Sequence, residues 1–249
     1  MDILLIIITA FFVALVFSML GLGGAIIYTP LFFWLGLPLL TAIPMALLLN
    51  GITTASASIT YLKQRLVITG VAFPIIATSI LGALAGSYLV PNVDTKLLIM
   101  LLSAILFFAS IRILFFNSIC FASGTTEKKK IAIGAGAGFF IGIISSLVGI
   151  GGGTFIVPLL MIIGFETKNA VATSSFIITF MSFSGFVGHI GFGEQQMDLK
   201  ILFYAGAAAF AGAQAGSRFI FRRVSSRMIN LIFALVLLLV ASKLLYGVL

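Results

Sequence analysis

A chain of 249 residues that is 61% hydrophobic and 8% charged, with 14 Lys/Arg against 6 Asp/Glu, falls far below the roughly 25% charge of soluble domains. So few charges cannot clothe a 26.4 kDa particle in water, so a soluble globule is excluded and lipid must supply the missing surface. The mean hydropathy of +1.30 agrees, and a single cysteine, Cys120, excludes an intrachain disulfide and a thiolate metal cluster.

The first apolar stretch, residues 3–36, is interrupted at Gly21, Gly23 and Gly24. Its run from Ile3 to Leu20 lacks the basic flank of a signal peptide and reads as a retained membrane segment. Three further apolar stretches follow near 40–62, 66–90 and 96–116. The most polar segment, 117–130, ends in Glu127-Lys128-Lys129-Lys130 and reads as a cytoplasmic linker. Beyond it the order recurs, with a glycine-broken stretch at 131–164 and three more near 168–191, 198–220 and 227–247.

The recurrence is a tandem duplication. Gly21-Leu22-Gly23-Gly24-Ala25-Ile26-Ile27-Tyr28-Thr29-Pro30-Leu31 lies against Gly149-Ile150-Gly151-Gly152-Gly153-Thr154-Phe155-Ile156-Val157-Pro158-Leu159 at an offset of 128. Gly82-Ala83-Leu84-Ala85-Gly86-Ser87 matches Gly212-Ala213-Gln214-Ala215-Gly216-Ser217 at 130. Residues 1–116 are therefore repeat one and 131–249 repeat two of a single transmembrane domain.

A helix of 34 residues would measure about 51 Å, beyond the roughly 30 Å hydrocarbon core, so each broken stretch must bend back or break. If each returns to its own side as a re-entrant hairpin, eleven basic residues share one face and three, Lys96, Lys200 and Lys243, the other. If each crosses once, the division is six against eight. Cytoplasmic loops carry the Lys/Arg excess, which selects the hairpin. A hairpin plus three transmembrane helices per copy makes the second copy enter the membrane from the opposite face. The expected fold is an all-α polytopic membrane protein of two inverted-topology repeats with both termini extracytoplasmic.

Inverted repeats joined at broken helices place substrate near the midplane. At each break the following half-helix starts with unpaired N–H groups and a positive dipole end, which suit an oxyanion. Glycine permits the left-handed backbone and the close approach this needs. The amides of Gly23, Gly24 and Ala25 and of Gly151, Gly152, Gly153 and Thr154 are the candidate donors. Gly134, Gly136, Gly138, Gly82, Gly86, Gly212 and Gly216 fit close helix packing instead. Asp2, Asp94, Glu127, Glu166, Glu194 and Asp198 all fall in loops or at the termini. A carboxylate proton relay and a divalent-cation site are therefore disfavoured, and an anion is the natural substrate.

Among intramembrane polar residues, the cluster Thr173, Ser174 and Ser175 offers hydroxyl donors, with Asn50 and Gln214 as further candidates. Ser56 and Ser184 are repeat-related at 128. His189, the single histidine, has Tyr61 as its counterpart and is the candidate for coupling to protons. Ser182-Phe183-Ser184-Gly185 followed by His189 raises an intramembrane hydrolase, which needs a Ser–His pair. The basic clusters read as topology signals and lipid-headgroup contacts, not a nucleic-acid surface.

The two glycine motifs, each followed by proline and a small-residue helix, resemble those of the sulfite exporter TauE/SafE family, also called the toluene sulfonate uptake permease family. The likeness covers essentially the whole chain. The family pattern of Gly-x-Gly-Gly-Gly, proline, then Ala-x-x-Thr-Ser is complete in the second copy as Gly149 to Pro158 and Ala170-Val171-Ala172-Thr173-Ser174. The first copy has Ala25 for the third glycine and Met45-Ala46 for Thr-Ser, which argues against a symmetrical two-sided site. The resemblance implies secondary transport, without a cofactor, of sulfite, thiosulfate, sulfoacetate or similar anions across the inner membrane of a prokaryote. Protons carried by the substrate itself are the expected coupling. The rivals are a channel-like facilitator, an intramembrane hydrolase and a membrane scaffold.

Overall fold

The computed structural model describes residues 3–20, 22–115, 126–193 and 199–219, together with 238, 241 and 242. Among these the regular structure is entirely helical. The first copy supplies α1 (Ile3–Leu20), α2 (Ala25–Trp34), α3 (Leu39–Lys63), α4 (Thr69–Leu89) and α5 (Thr95–Phe115). The second supplies α6 (Glu127–Val148), α7 (Gly153–Ile162), α8 (Thr167–Phe192) and α9 (Leu199–Phe219). Most of the apolar stretch at 227–247 and most of the linker lie outside the described residues. Helix α6 takes in Glu127–Lys130, four residues earlier than the apolar pattern implies. Thr126 stands at its N-cap position, and Glu127 favours the dipole of the first turn.

Helices α3, α4 with its following turn, α6 and α8 are long and apolar enough to cross a membrane. Large side chains face outward from the bundle, among them Phe73, Phe108, Phe140 and Phe203, the last 72% exposed. Outward phenylalanines of this size fit a lipid boundary, not water. The half-helices α2 and α7 have ten residues each, about 15 Å and half the hydrocarbon thickness.

At the first break the chain reverses. A Cβ at Gly24 would press on Val13, and one turn further along α2 the Tyr28 hydroxyl donates to the carbonyl of Ala10 at 3.0 Å. As α2 advances, its contacts step backwards along α1. In the second copy Gly152 faces Ile141, the residue 128 positions beyond Val13.

The copies pack by exchanging arms. Gly82 and Gly86 of α4 abut the backbone carbonyls of Phe139 and Ile143 on α6. Gly212 and Gly216 of α9 abut those of Phe11 and Leu15 on α1. Each contact repeats the other with its numbers moved by 128 or 130, the reciprocity of a two-fold relation. Without side chains at these four positions the helix backbones touch, as small residues allow in lipid. Gly82→Ala and Gly212→Ala are each expected to lower the thermal midpoint through an overpacking cost of roughly 1–3 kcal/mol. Gly136→Ala, with nothing within 4 Å of the added methyl, is expected to leave it unchanged. Thermal melts of the three variants check this.

Helices α3 and α8, the repeat-related pair, run antiparallel. Asn50 meets Ser182, Thr54 meets Thr179, and Ala57 and Tyr61 cluster with Ala172. The end of the bundle where α3 finishes is basic. Lys63 and Arg65 lie there beside the start of α8 with Lys168, tied by the Ile68 amide donating to Thr173 Oγ1 at 3.0 Å. Lys130 reaches the same end, 5.2 Å above the Phe165 ring. At the other end Tyr88 and Phe192 pack edge to face near Asp94 and Lys96.

Candidate functional site

The two glycine breaks meet at Asn50. This side chain is fully buried in the middle of α3. Its Oδ1 accepts from the amides of Gly24 at 2.6 Å and Ala25 at 2.9 Å, and its Nδ2 donates to Ser182 Oγ at 2.8 Å. Two donors on one atom and an acceptor on the other fix the orientation of the amide group. Any side chain at Gly23 or Gly151 would strike Asn50, so one carboxamide is seated between both breaks. Thr29 of α2 donates to the carbonyl of Gly149, a second link between them. A Cβ at Gly153 would collide with the carbonyl of Leu22.

The half-helices therefore begin differently. The first-turn amides of α2, at Gly24 and Ala25, are taken up by Asn50, a side chain in the role an anion could fill. Among the described residues no acceptor meets the amides of Gly153 and Thr154, and Thr154 Oγ1, in a residue only 8% exposed, has no partner. The second break holds Gly149, Gly151 and Gly152 at φ of 72°, 76° and 69°, a left-handed run only glycine adopts freely. Among the described residues of the first break, Gly23 alone adopts it, at 70°. Donors and a positive dipole end at α7, with no carboxylate beside them among the described residues, suit a small oxyanion.

The remaining candidates disperse. Gly152 lies against Met181, which sets the level of α8 facing the α7 start. Thr173 is eight residues away, about 12 Å along the helix. Its hydroxyl accepts the Ile68 amide, while that of Ser174 donates to the Val171 carbonyl. Ser175 is fully buried and its hydroxyl has no partner. Gln214 donates to the carbonyl of Ser56 at 2.9 Å, joining α9 to α3 away from the breaks.

His189 is buried, with Nε2 2.9 Å from the Ser146 carbonyl at the end of α6. Its counterpart Tyr61 donates to the carbonyl of Ser18, the counterpart of Ser146. His189 and Tyr61 are thus internal struts of the same kind in the two copies. Ser184 donates to its own helix at Phe180, so Ser184 and His189 do not form the pair a hydrolase requires. Asp94, Glu127 and Glu166 lie at helix starts, while Asp2, Glu194 and Asp198 fall outside the described residues. Among the described residues no three His, Cys, Asp or Glu side chains come together to hold a metal ion.

A family model described as "Sulfite exporter TauE/SafE" matches residues 6–244. The chain belongs to the sulfite exporter TauE/SafE family. This TauE/SafE protein is 34% identical over 122 residues to the "Probable membrane transporter protein YunE" of Bacillus subtilis (strain 168). That match takes in 49% of this chain and 44% of the relative, so it spans less than half the relative's length. No solved structure matches. With its apolar helices, the TauE/SafE chain is an integral membrane protein.

Asn50 is the residue whose part sequence reasoning missed. It reads there as one more polar group in a span. The available signal was its asymmetry: the position 128 residues on is Ile178, so whatever Asn50 does is done once.

Proposed function

We propose that this TauE/SafE protein is a secondary transporter of small sulfur-containing oxyanions or organosulfonates, such as sulfite, thiosulfate or a sulfoacetate-like anion. The observation that carries the reading is the unequal pair of half-helix starts at one meeting point. Asn50 occupies the donors of α2, while Gly153, Thr154 and the Thr154 hydroxyl at α7 have donors to give. Gly151 and Gly152 shape the approach, and Gly23, Gly24 and Ala25 line the opposite wall through Asn50. Thr173, Ser174 and Ser175 serve the route along α8 and not the seat itself. For sulfite, the one of these anions that titrates near neutrality, protons travel on the substrate itself. The sulfur chemistry rests on the family; the anionic charge rests on the site.

A binding screen of purified protein against sulfite, thiosulfate, sulfate, sulfonates and small carboxylates tests this. Saturable binding of a sulfur anion is expected, with loss in Gly152→Val, whose side chain would meet Met181 in a left-handed backbone. Absence of binding to every anion would sink the proposal.

Alternating access by two inverted repeats is the mechanism we infer, with the basic end cytoplasmic and both termini outside. It is supported by the antiparallel α3 and α8 and by the exchanged packing of α1 on α9 and α6 on α4. Single cysteines at Thr95 and Thr126, in a chain lacking Cys120, are expected to label from opposite sides of the membrane. Labelling from one side alone would contradict the inverted arrangement.

A further inference from the structure

The duplicated seam between α3 and α8 should look the same in its two halves, and it does not. From its centre toward the basic end, the rungs are polar: Asn50 with Ser182, then Thr54 with Thr179 at 3.1 Å. One helical turn further in the same direction stand Ser58 on α3 and Ser175 on α8, 4% and 0% exposed. Both hydroxyls lack any hydrogen-bond partner.

The repeat counterparts of Ser58 and Ser175 are Phe186 and Leu47. In that half the seam is filled: Leu47 is fully buried, Phe186 packs against the same core cluster, and Gly185 lies against Leu47. One structural position, used twice, is thus closed by hydrocarbon on α3 and α8 in one half, where the unpartnered hydroxyl beside Gly185 is that of Ser146 on α6, and lined by unsatisfied hydroxyls of α3 and α8 themselves in the other.

Leaving a hydroxyl unpaired at membrane depth is costly unless it lines a path for water or ligand. Replacing the two serines by the residue types of their counterparts would remove that cost, so packing alone gives no reason for them. Beyond them the seam reaches the end that carries Lys63, Arg65, Lys130 and Lys168, with Glu127 and Glu166 the acids nearby. A predominance of positive charge at a mouth concentrates anions there.

We propose that the polar half of the α3/α8 seam is the passage by which an anion moves between the basic end of the bundle and the glycine breaks. Ser58 and Ser175 act as hydroxyl donors along it, Thr54 and Thr179 line its inner stretch with hydroxyls that donate to their own helices, and Asn50 and Ser182 mark its inner limit. The apolar half, through Leu47 and Phe186, is the closed gate of this conformation. The inference rests on the transport reading above for its cargo, and on the broken symmetry alone for its position.

The test uses the full chain with Cys120 replaced by alanine. Ser175→Cys and Leu47→Cys are exposed in sealed vesicles of each orientation to an anionic, membrane-impermeant methanethiosulfonate. Gln64→Cys marks the basic end and Thr95→Cys the opposite one. Ser175→Cys is expected to react from the Gln64 side at least about tenfold faster than from the Thr95 side, and to outpace Leu47→Cys on that side, because access governs thiol reactivity. Equal rates for the two cysteines, or no reaction of Ser175→Cys from the Gln64 side, would overturn the passage.

A second measurement separates conduction from structure. Ser58→Ala and Ser175→Ala remove unsatisfied hydroxyls, so the thermal midpoint is expected to hold or rise while sulfonate uptake falls about tenfold. Unchanged uptake in both would assign the serines no role in passage. If the parent chain takes up no anion yet the labelling asymmetry holds, the transport reading fails and the passage stands.

Discussion

Replacing Gly153 by alanine is expected to abolish anion binding and to lower the thermal midpoint, although alanine is the better helix former by about 1 kcal/mol. The position opens α7, where the backbone carries no left-handed strain. The obstacle is the carbonyl of Leu22, in the opposite break, which the new methyl group would strike. Backbone cannot swing aside as a side chain can, so the breaks must part, at a cost of roughly 1–3 kcal/mol. Separation also shifts the amides of Gly153 and Thr154 from the seat. The natural chain supplies the contrast: Ala25, the aligned residue of the first copy, is accommodated against Gly151, which has no side chain to oppose it. Calorimetric binding together with a thermal melt reads both effects. A Gly153→Ala protein with undiminished anion affinity would remove α7 from the site.

Asn50→Leu is expected to be the most damaging single change in the core. Leucine shares asparagine's branching at Cγ but is bulkier and offers no hydrogen bond. It would strand the amides of Gly24 and Ala25 and the hydroxyl of Ser182, with a penalty on the order of 1–3 kcal/mol for each group. Loss of a monodisperse peak in detergent is the expected readout. Asn50→Asp separates the two functions of the residue. A carboxylate still accepts from both amides and can accept from Ser182, and a negative charge at a helix start is favourable, so the fold survives. The same charge stands beside the route of the incoming anion, and repulsion there is expected to weaken binding at least about tenfold. Full affinity in Asn50→Asp would place the substrate elsewhere.

The contrast between what the residues foretell and what only the fold reveals follows the range of each interaction. The reversal at the breaks is legible because 34 apolar residues are too long for one crossing, and the Tyr28 to Ala10 bond is its structural counterpart. The packing role of Gly82, Gly86, Gly212 and Gly216 is legible because their four-residue spacing puts each pair on one helix face. Thr173, Ser174 and Ser175 form a tight group in sequence, yet consecutive helical positions point in different directions, and their hydroxyls part company accordingly. Asn50 is the converse. It acts on amides 25 and 26 positions earlier and on a hydroxyl 132 positions later, and no local pattern announces such a partner. His189 invites a reading as a titrating group because histidine is the residue that titrates near neutrality. Only the parallel with Tyr61 and Ser18 discloses the strut.

The exchange of arms has a bearing on how the protein is made. Helix α1 leaves the ribosome well before α9, which begins at Leu199 and carries the surface it packs on. At synthesis rates of 5–20 residues per second, α1 waits roughly 10–40 s for that partner. Throughout that interval the carbonyl-bearing face of Phe11 and Leu15 is open to lipid or to the insertion machinery. Membrane integration and assembly are thereby forced into separate stages, since neither half can complete its own packing. For the same reason the two halves, synthesised as independent polypeptides in one membrane, are expected to associate through these glycine faces.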